Sequence, residues 1–253
     1  MAMTSIFSNY YSRLAPDYER MYRFLHARND RYSKLIAELI GLGSFCSNSG
    51  KVLDIAGGTG SFTKSLSTTL GLKEYWVADN NNAMLAEAAA IGAKTSLCDM
   101  NQAQDLERLV EIGPFDIVLM RGSINHCSNW YQLLHYVHQM LSPNGFFIVM
   151  TRERLTLHIP EWIQSTFPAI TGDGITELLS LAKNCGFRHG KSHPFKLEPF
   201  RVPREEWLES LRGRFLSSMD SMSDAEIETF IQDHCQNKEI IFADEPTFFI
   251  FEK

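Results

Sequence analysis

The stretch Val52-Leu53-Asp54-Ile55-Ala56-Gly57-Gly58-Thr59-Gly60 determines how the rest of this chain is interpreted. Residues 52–55 have the length and apolar character of a short buried strand, and a helix is predicted to begin at Phe62. The glycine-rich turn between them lets the backbone approach a ligand closely, and the following helix N-terminus presents amide donors. The stretch therefore predicts a strand–turn–helix unit that binds a small molecule where the strand ends.

The same rhythm of strand and helix continues through the middle of the chain. Strands are predicted at 75–78, 95–98, 115–120 and 145–150, and helices at 62–70, 80–91, 103–112 and 130–141. Repeated units of this length favour an α/β fold, with a parallel sheet covered by helices on both faces.

Helical segments precede this core, and a mixed tail follows it. We expect a single domain over 1–253, with a helical lid at 1–45, a ligand-binding core at 50–150 and a tail at 151–253. In the tail, helices are predicted at 175–184, 203–215 and 224–235, the last with Ser223 and Glu226 as a capping box, and a strand at 193–200. Segments 239–243 and 247–251 are predicted as a hairpin-like pair or one bent strand that closes the sheet.

Composition and charge exclude several classes of protein. The chain has 253 residues, is 44% hydrophobic and carries a formal net charge of −6. This balance argues against non-specific binding to nucleic acid or to anionic membranes. No apolar run reaches membrane-spanning length, and the first nine residues lack a signal-peptide pattern, so we expect a cytoplasmic protein. Five cysteines without a CxxC pair indicate reduced thiols and no metal site: Cys46, Cys98, Cys127, Cys185 and Cys235.

Two acidic residues define the type of ligand. Asp79 follows Gly60 by 19 residues, at the end of the second predicted strand, where a carboxylate can accept hydrogen bonds from ribose hydroxyls. A nicotinamide site requires a third small residue in its glycine motif, and Thr63 occupies that position. Asp54, just ahead of the turn, suits a cationic ligand. A nicotinamide-dependent oxidoreductase therefore remains the less favoured alternative.

These motifs together resemble those of class I S-adenosylmethionine-dependent methyltransferases. The resemblance is to the small-molecule branch that includes the type 11, ubiquinone-biosynthesis-like enzymes, and it extends over about 10–150. The corresponding segments are 52–60, with Ala56 in place of the first glycine, then 77–85, 98–100, 115–118 and 141–145, and a lid-like segment at 11–18. The family has a Rossmann-like, doubly wound, mostly parallel sheet of seven strands.

The resemblance implies a role for each matching residue. Asp54 and the turn would hold the methionine part of S-adenosylmethionine, Asp79 its ribose and Asp99 its adenine. The remaining residues implied to contact this cofactor are Tyr11, Tyr18, Ala56, Gly57, Gly58, Gly60, Asn80, Met84, Met100 and Arg121. The alternative for Asp54 and Asp79 is capping of the turns that follow them, and for Asp99 a solvated turn residue. The alternative for Tyr11 and Tyr18 is plain packing in an amphipathic helix, and core packing is favoured over cofactor contact for Phe62 and Met84.

The segment Arg121-Gly122-Ser123-Ile124-Asn125-His126 follows the fourth predicted strand, on the side where the acceptor is expected. His126 has an unperturbed pKa near neutrality and is a candidate general base, with a helix-capping role as the alternative. Arg121 is a candidate anchor for an acceptor carboxylate, with a structural ion pair as the alternative.

The expected activity is methyl transfer to an oxygen, nitrogen or carbon of a small molecule, with S-adenosylhomocysteine as product. Methylation of RNA is disfavoured by the acidic balance and by the absence of a basic run. Amino-group methylation of adenine or glutamine is disfavoured because no Asn-Pro-Pro-Tyr-like motif follows the fourth predicted strand. A protein of this fold that binds the cofactor without methylating anything is a further alternative. A homodimer is possible.

Overall fold

The computed structural model describes residues 9–41, 50–152 and 172–253. Its central sheet has seven strands in the order β3-β2-β1-β4-β5-β9-β6. The nine strands of the two sheets are β1 (Lys51–Ile55), β2 (Glu74–Asp79), β3 (Lys94–Leu97), β4 (Phe115–Arg121), β5 (Leu141–Arg152), β6 (His189–Pro194), β7 (Leu197–Pro203), β8 (Glu239–Asp244) and β9 (Pro246–Glu252). Strands β1 to β5 pair in parallel, and β9 lies antiparallel between β5 and β6. The predicted doubly wound, mostly parallel seven-stranded sheet is confirmed.

The helices lie on both faces of this sheet and beyond its edge. They are α1 (9–14), α2 (Tyr18–Met21), α3 (Arg23–His26), α4 (Asn29–Leu39), α5 (Ser61–Leu70), α6 (Asn82–Ala90), α7 (Ala103–Ile112), α8 (Trp130–Met140), α9 (Gly172–Asn184), α10 (Arg204–Arg212) and α11 (Asp224–His234). The predicted capping box is present at the start of α11. Among the described residues, no helix is long and apolar enough to cross a membrane.

Alternation along β1 divides the core between the two faces of the sheet. Leu53 and Ile55 pack with residues of α7, α8 and α9, whereas Val52 packs with residues of α4 and α5. Because strand side chains alternate with period two, Asp54 shares the face of Val52, where α5 begins. The core that surrounds β1 thus brings a buried carboxylate beside a helix N-terminus.

The strand predicted at 193–200 is wrong as a single element. The chain forms β6 up to Pro194 and β7 from Leu197, and these two strands belong to different sheets. Pro194 ends the first of them, and the short connection re-aims the chain from the main sheet toward a separate two-stranded sheet of β7 and β8.

The hairpin predicted for 239–243 and 247–251 is also wrong. Strand β8 pairs with β7, whereas β9 is inserted between β5 and β6. The burial patterns give the reason. Strand β9 is buried at six successive positions, so both of its faces must pack against other elements, as in the centre of a sheet. Burial alternates along β8, so only one of its faces must pack against the protein. The expectation that the tail closes the sheet is confirmed for β9.

Both ends of the chain contribute to a second core, which we call the cap and define as residues 9–26 and 197–244. Four rings form its centre, with centroids 5.1–5.7 Å apart: Phe24, Trp207, Phe215 and Phe242. Tyr10 also donates a hydrogen bond from its hydroxyl to the carbonyl of Arg214, at 2.6 Å. Residues 9–26 of the predicted lid are therefore packed against the C-terminal tail, whereas residues 1–8 and 42–45 of that lid lie outside the described residues.

A buried ion pair joins the cap to the main sheet. Arg28 donates from Nε and Nη2 to Oδ2 of Asp244, at 3.0 and 2.6 Å, and Tyr32 donates to the other oxygen at 2.5 Å. Asp244 is 1% exposed and lies at the end of β8, one residue before β9 approaches the main sheet. Burial of this carboxylate is tolerated because both of its oxygens are hydrogen-bonded.

We expect Asp244→Ala to lower the free energy of unfolding by about 3–5 kcal/mol, since it leaves the partly buried Arg28 guanidinium without its carboxylate partner. Chemical denaturation of both proteins checks this. Glu245→Ala is the matched control, because Glu245 forms only an exposed ion pair with Lys196 at 3.8 Å and should change stability by less than about 0.5 kcal/mol. Equal stability of the two variants would contradict a stabilising role for the ion pair of Arg28 and Asp244.

Candidate active site

The glycine-rich turn after β1 is held against β2 by backbone hydrogen bonds. The amides of Ala56 and Gly57 donate to the carbonyl of Ala78, at 2.7 and 3.3 Å. The turn has positive φ at Ala56 (57°), Gly58 (58°) and Gly60 (73°). The left-handed region favours glycine, so two of these residues suit their conformation and Ala56 is strained.

Two glycines of the turn are required by close contacts. A Cβ at Gly57 would lie 2.7 Å from Cγ of Asp54, and one at Gly60 would lie 2.8 Å from Cγ2 of Val77. At Gly58 a Cβ would meet nothing within 4 Å. The backbone of the turn is thus packed closely on its sheet side and open at Gly58.

Asp79 fixes the turn from the end of β2. Its Oδ2 accepts a hydrogen bond from the Gly58 amide at 2.9 Å, and its Oδ1 accepts one from the Asn81 amide at 3.0 Å. Burial raises the pKa of this carboxyl, and the amides of Gly58, Asn81 and Asn80 lower it in part. A carboxylate offers about four acceptor positions, so Asp79 retains capacity for a further donor.

Asp54 is a buried carboxyl whose hydrogen bonds are incomplete. It is 2% exposed, and Oδ2 accepts a hydrogen bond from the Thr63 hydroxyl at 2.6 Å. Oδ1 has no hydrogen-bond partner in the described part of the chain. Burial raises the pKa of Asp54 to about 7, although the Thr63 hydroxyl and the positive charge of Arg121 act in the opposite direction. A cationic donor at Oδ1 would complete this site.

Arg121 lies at the end of β4 in an aromatic and polar setting. Its guanidinium lies 4.5 Å from the centre of the Phe62 ring and 5.8 Å from that of Tyr32. Nη1 donates to Oδ1 of Asn29 at 2.8 Å. These contacts hold a positive charge at the carboxyl end of β4, near the carboxylate of Asp54.

Asp99 and Met100 form a turn after β3, and His126 lies on the loop after β4. Oδ1 of Asp99 accepts hydrogen bonds from the amide and side chain of Asn101, at 3.0 and 3.2 Å. Met100 is 9% exposed. The side chain of His126 is exposed, yet partial desolvation lowers its pKa, so the imidazole is neutral at pH 7 and can accept a proton.

The cap contributes two of the tyrosines that the sequence singled out. Burial raises the pKa of Tyr11, and the nearby carboxylate of Asp79 raises it further. The pKa of Tyr18 is raised by burial, and the charges of Arg121 and Asp79 also act on it. Both phenols therefore lie near the ends of β2 and β4, and both stay protonated at neutral pH.

Two other predicted cofactor residues have different surroundings. Met84 is 2% exposed, which fits core packing, and its amide donates to Oδ1 of Asn81, the residue that caps α6. Asn80 is exposed beside Asp79. The structure thus places Met84 within the protein interior and Asn80 at the rim.

Several residues of the site carried no recognisable sequence signal. Thr63, which in the sequence is only a departure from a glycine motif, donates a hydrogen bond to Oδ2 of Asp54. Glu19 of the cap accepts a hydrogen bond from Thr59 in the glycine turn and lies 2.8 Å from Nδ1 of His26. Burial opposes ionisation of Glu19, but bonds from His26 and Thr59 outweigh it and lower its pKa.

Comparison with known proteins identifies the family. The profile of a family described as a methyltransferase domain matches residues 24–216, about three quarters of the sequence. The chain therefore belongs to this methyltransferase family. A search of curated proteins returned no significant match.

Solved structures show the same fold at low sequence identity. An S-adenosylmethionine-dependent methyltransferase from Archaeoglobus fulgidus has a TM-score of 0.53 and 18% identity, over 92% of this chain and 100% of that one. The [4+2]-cyclase SpnF has a TM-score of 0.53 and 15% identity, over 88% and 81%.

A third structure is phosphoethanolamine N-methyltransferase 2 of Haemonchus contortus, with phosphomonomethylethanolamine and S-adenosylhomocysteine. Its TM-score is 0.51 and its identity 17%, over 86% of this chain. This chain spans about half of the Haemonchus enzyme, 52% of its length. Neither the family match nor these structures supports the nicotinamide-dependent alternative.

We expect Ala56→Gly to stabilise the protein by about 0.5–1 kcal/mol, because relief of left-handed strain exceeds the entropic cost of a glycine. Ala86→Gly is the matched control: Ala86 is exposed within α6, where glycine should destabilise by about 1 kcal/mol. Urea unfolding of both variants should show changes of opposite sign in the free energy of unfolding. A loss of stability in Ala56→Gly would show that its methyl packing outweighs the strain.

Proposed function

We propose that this chain binds S-adenosylmethionine and transfers its methyl group to a small-molecule acceptor. The observation that carries the proposal is the buried carboxyl of Asp54, whose Oδ1 has no partner among the described residues, beside a glycine turn anchored to Asp79. A ligand with an ammonium group and a ribose satisfies both acidic residues. S-adenosylmethionine has both groups, and family membership agrees with it.

In this proposal each acidic residue receives one part of the cofactor. Asp54 takes the ammonium of the methionine portion, Asp79 a ribose hydroxyl, and the turn of Asp99 and Met100 the adenine. Arg121, held by Asn29 and Phe62, would also contact a carboxylate of the cofactor or of the acceptor.

When bound, S-adenosylmethionine supplies a methyl carbon on a sulfonium, which an acceptor atom attacks in line as S-adenosylhomocysteine is released. The chain's own contribution is alignment and exclusion of water, effects worth up to about 7–11 kcal/mol in favourable cases. Tyr11 and Tyr18 of the cap cover the ends of the strands. His126, neutral at pH 7, accepts the proton of an acceptor hydroxyl or amine if the attacking atom carries one.

A small molecule is the favoured acceptor class because the cap restricts access to the strand ends and the net charge of −6 disfavours nucleic acid. We retain as predictions a cytoplasmic location and the possibility of a homodimer. The second candidate function is cofactor binding without methyl transfer, which the structural similarity to a [4+2]-cyclase favours. The two candidate functions are distinguished by adding acceptor candidates with S-adenosylmethionine. Formation of S-adenosylhomocysteine supports methyl transfer, and its absence supports cofactor binding alone.

Calorimetric titration with S-adenosylmethionine and S-adenosylhomocysteine tests the cofactor assignment. Asp79→Ala should weaken both affinities by about 10- to 100-fold, since it removes a charged acceptor worth about 1.5–3 kcal/mol per bond. The exposed Glu111→Ala on α7 serves as control and should bind like the unmodified protein. If the unmodified protein binds neither ligand, the proposed function is wrong.

The affinity for S-adenosylhomocysteine should rise with pH if Asp54 receives its ammonium. With a pKa of about 7 in the free protein, Asp54 is mostly protonated at pH 6 and must release a proton to pair with the ligand. The affinity is therefore expected to increase about tenfold from pH 6 to pH 8 and to level off above the pKa.

Two controls isolate this effect in the same titrations. Asp54→Asn keeps an oxygen for the Thr63 hydroxyl but cannot ionise, so its affinity for the same ligand should be lower and independent of pH. The ligand 5′-methylthioadenosine lacks the amino-acid group and should bind the unmodified protein equally at both pH values. A parallel pH dependence for both ligands would exclude Asp54 as the ammonium site.

A further inference from the structure

Asn101 joins two loops that the order of the sheet keeps apart. It belongs to the turn after β3, whereas Ser128 and His126 belong to the loop after β4, and strands β2 and β1 separate β3 from β4. Oδ1 of Asn101 accepts hydrogen bonds from the amide and hydroxyl of Ser128, at 2.7 and 2.9 Å. Nδ2 donates to the carbonyl of His126 at 3.2 Å.

The same side chain also sets the conformation of Asp99. Nδ2 of Asn101 donates to Oδ1 of Asp99 at 3.2 Å, and the Asn101 amide donates to the same oxygen at 3.0 Å. The amide group of Asn101 thereby uses both donors and both acceptor positions. The hydrogen bonds of Asp99 to described residues leave its Oδ2 unused, so one carboxylate oxygen is fixed and the other is left for a ligand.

Other contacts anchor each loop to the core. Asp105 accepts a hydrogen bond from the amide of Asp99 at 2.8 Å, on the β3 side. On the β4 side, Nε1 of Trp130 donates to the carbonyl of Ile124 at 3.3 Å, and the hydroxyl of Ser123 donates to the carbonyl of Ile55 at 3.4 Å. Each loop is therefore secured separately, and Asn101 supplies a direct connection between them.

We propose that Asn101 is a positioning residue that couples binding of the cofactor's adenosine at Asp99 to the placement of the His126 loop. This inference rests on the proposed function. Ligand contact at the fixed Asp99 turn restrains Asn101, and Asn101 in turn restrains the loop through Ser128 and the His126 carbonyl. The loop that carries the candidate base is then ordered when the cofactor is in place.

The experiment combines calorimetry with amide hydrogen exchange, using S-adenosylhomocysteine as ligand and the full chain. In the unmodified protein, the ligand should slow exchange both at the glycine turn and at residues 123–128. In Asn101→Ala the affinity should fall about tenfold, which corresponds to roughly one lost hydrogen bond of about 1.4 kcal/mol. In this variant the ligand should still slow amide exchange at the glycine turn but no longer slow it at residues 123–128.

Two further variants separate positioning from general stability. Asn101→Asp keeps acceptors for Ser128 but loses both donated bonds, so it should lose the coupled protection as Asn101→Ala does. Asn129→Ala is the matched control in the same loop, because Asn129 caps α8 by accepting from the Gln132 amide at 3.0 Å. It should lower the melting temperature and leave affinity and coupled protection within about twofold of the unmodified protein.

The outcomes are distinct. Ligand binding by the unmodified protein, with unchanged affinity and unchanged protection at 123–128 in Asn101→Ala or Asn101→Asp, overturns the inference and leaves the proposed function standing. The same loss of coupling in Asn129→Ala also overturns it, since any damage to the loop would then suffice. Failure of the unmodified protein to bind the ligand overturns both.

Discussion

The hydrogen bond from the Gly58 amide to the carboxylate of Asp79 is the contact on which the site depends. It joins the turn after β1 to the end of β2, alongside the bonds from Ala56 and Gly57 to the carbonyl of Ala78. The turn must follow a tight path with positive φ at Ala56, Gly58 and Gly60, and these bonds hold it there. Asp79 therefore has a structural role in holding the turn, in addition to the ligand contact proposed for it. Both roles require a carboxylate at this position.

Much of the fold follows from local pattern, and the exceptions have a common physical cause. The strand–turn–helix unit at 52–70 and the capping box at Ser223 are specified by neighbouring residues, so the sequence predicts them. The pairing partners of β8 and β9 depend on which faces of these strands other elements bury in the folded protein. Residues 239–252 contain two apolar strands in succession, and nothing local shows that they enter different sheets.

The candidate site divides in the same way. Asp54 lies near the end of β1, Asp79 is the last residue of β2, and Asp99 comes shortly after β3. All three are predictable from position, because parallel strands end at one edge of the sheet. The supporting bonds from Thr63 and Asn101 depend on side-chain geometry between elements that no spacing rule relates. An asparagine in a turn is common and gives no signal in the sequence, so Asn101 is distinguished by its contact with Ser128, 27 residues away.

The electrostatics of the site also join distant parts of the chain. Asp54 and Asp79 repel one another, Arg121 offsets this, and Arg121 is held by Asn29 in the segment that leads from the cap. The cap in turn is built from both ends of the chain, with Tyr11 hydrogen-bonded to Ser217. Tyr11, which lies near Asp79, is therefore held by contacts between two segments that are remote in sequence, and no short motif in either segment reveals this arrangement.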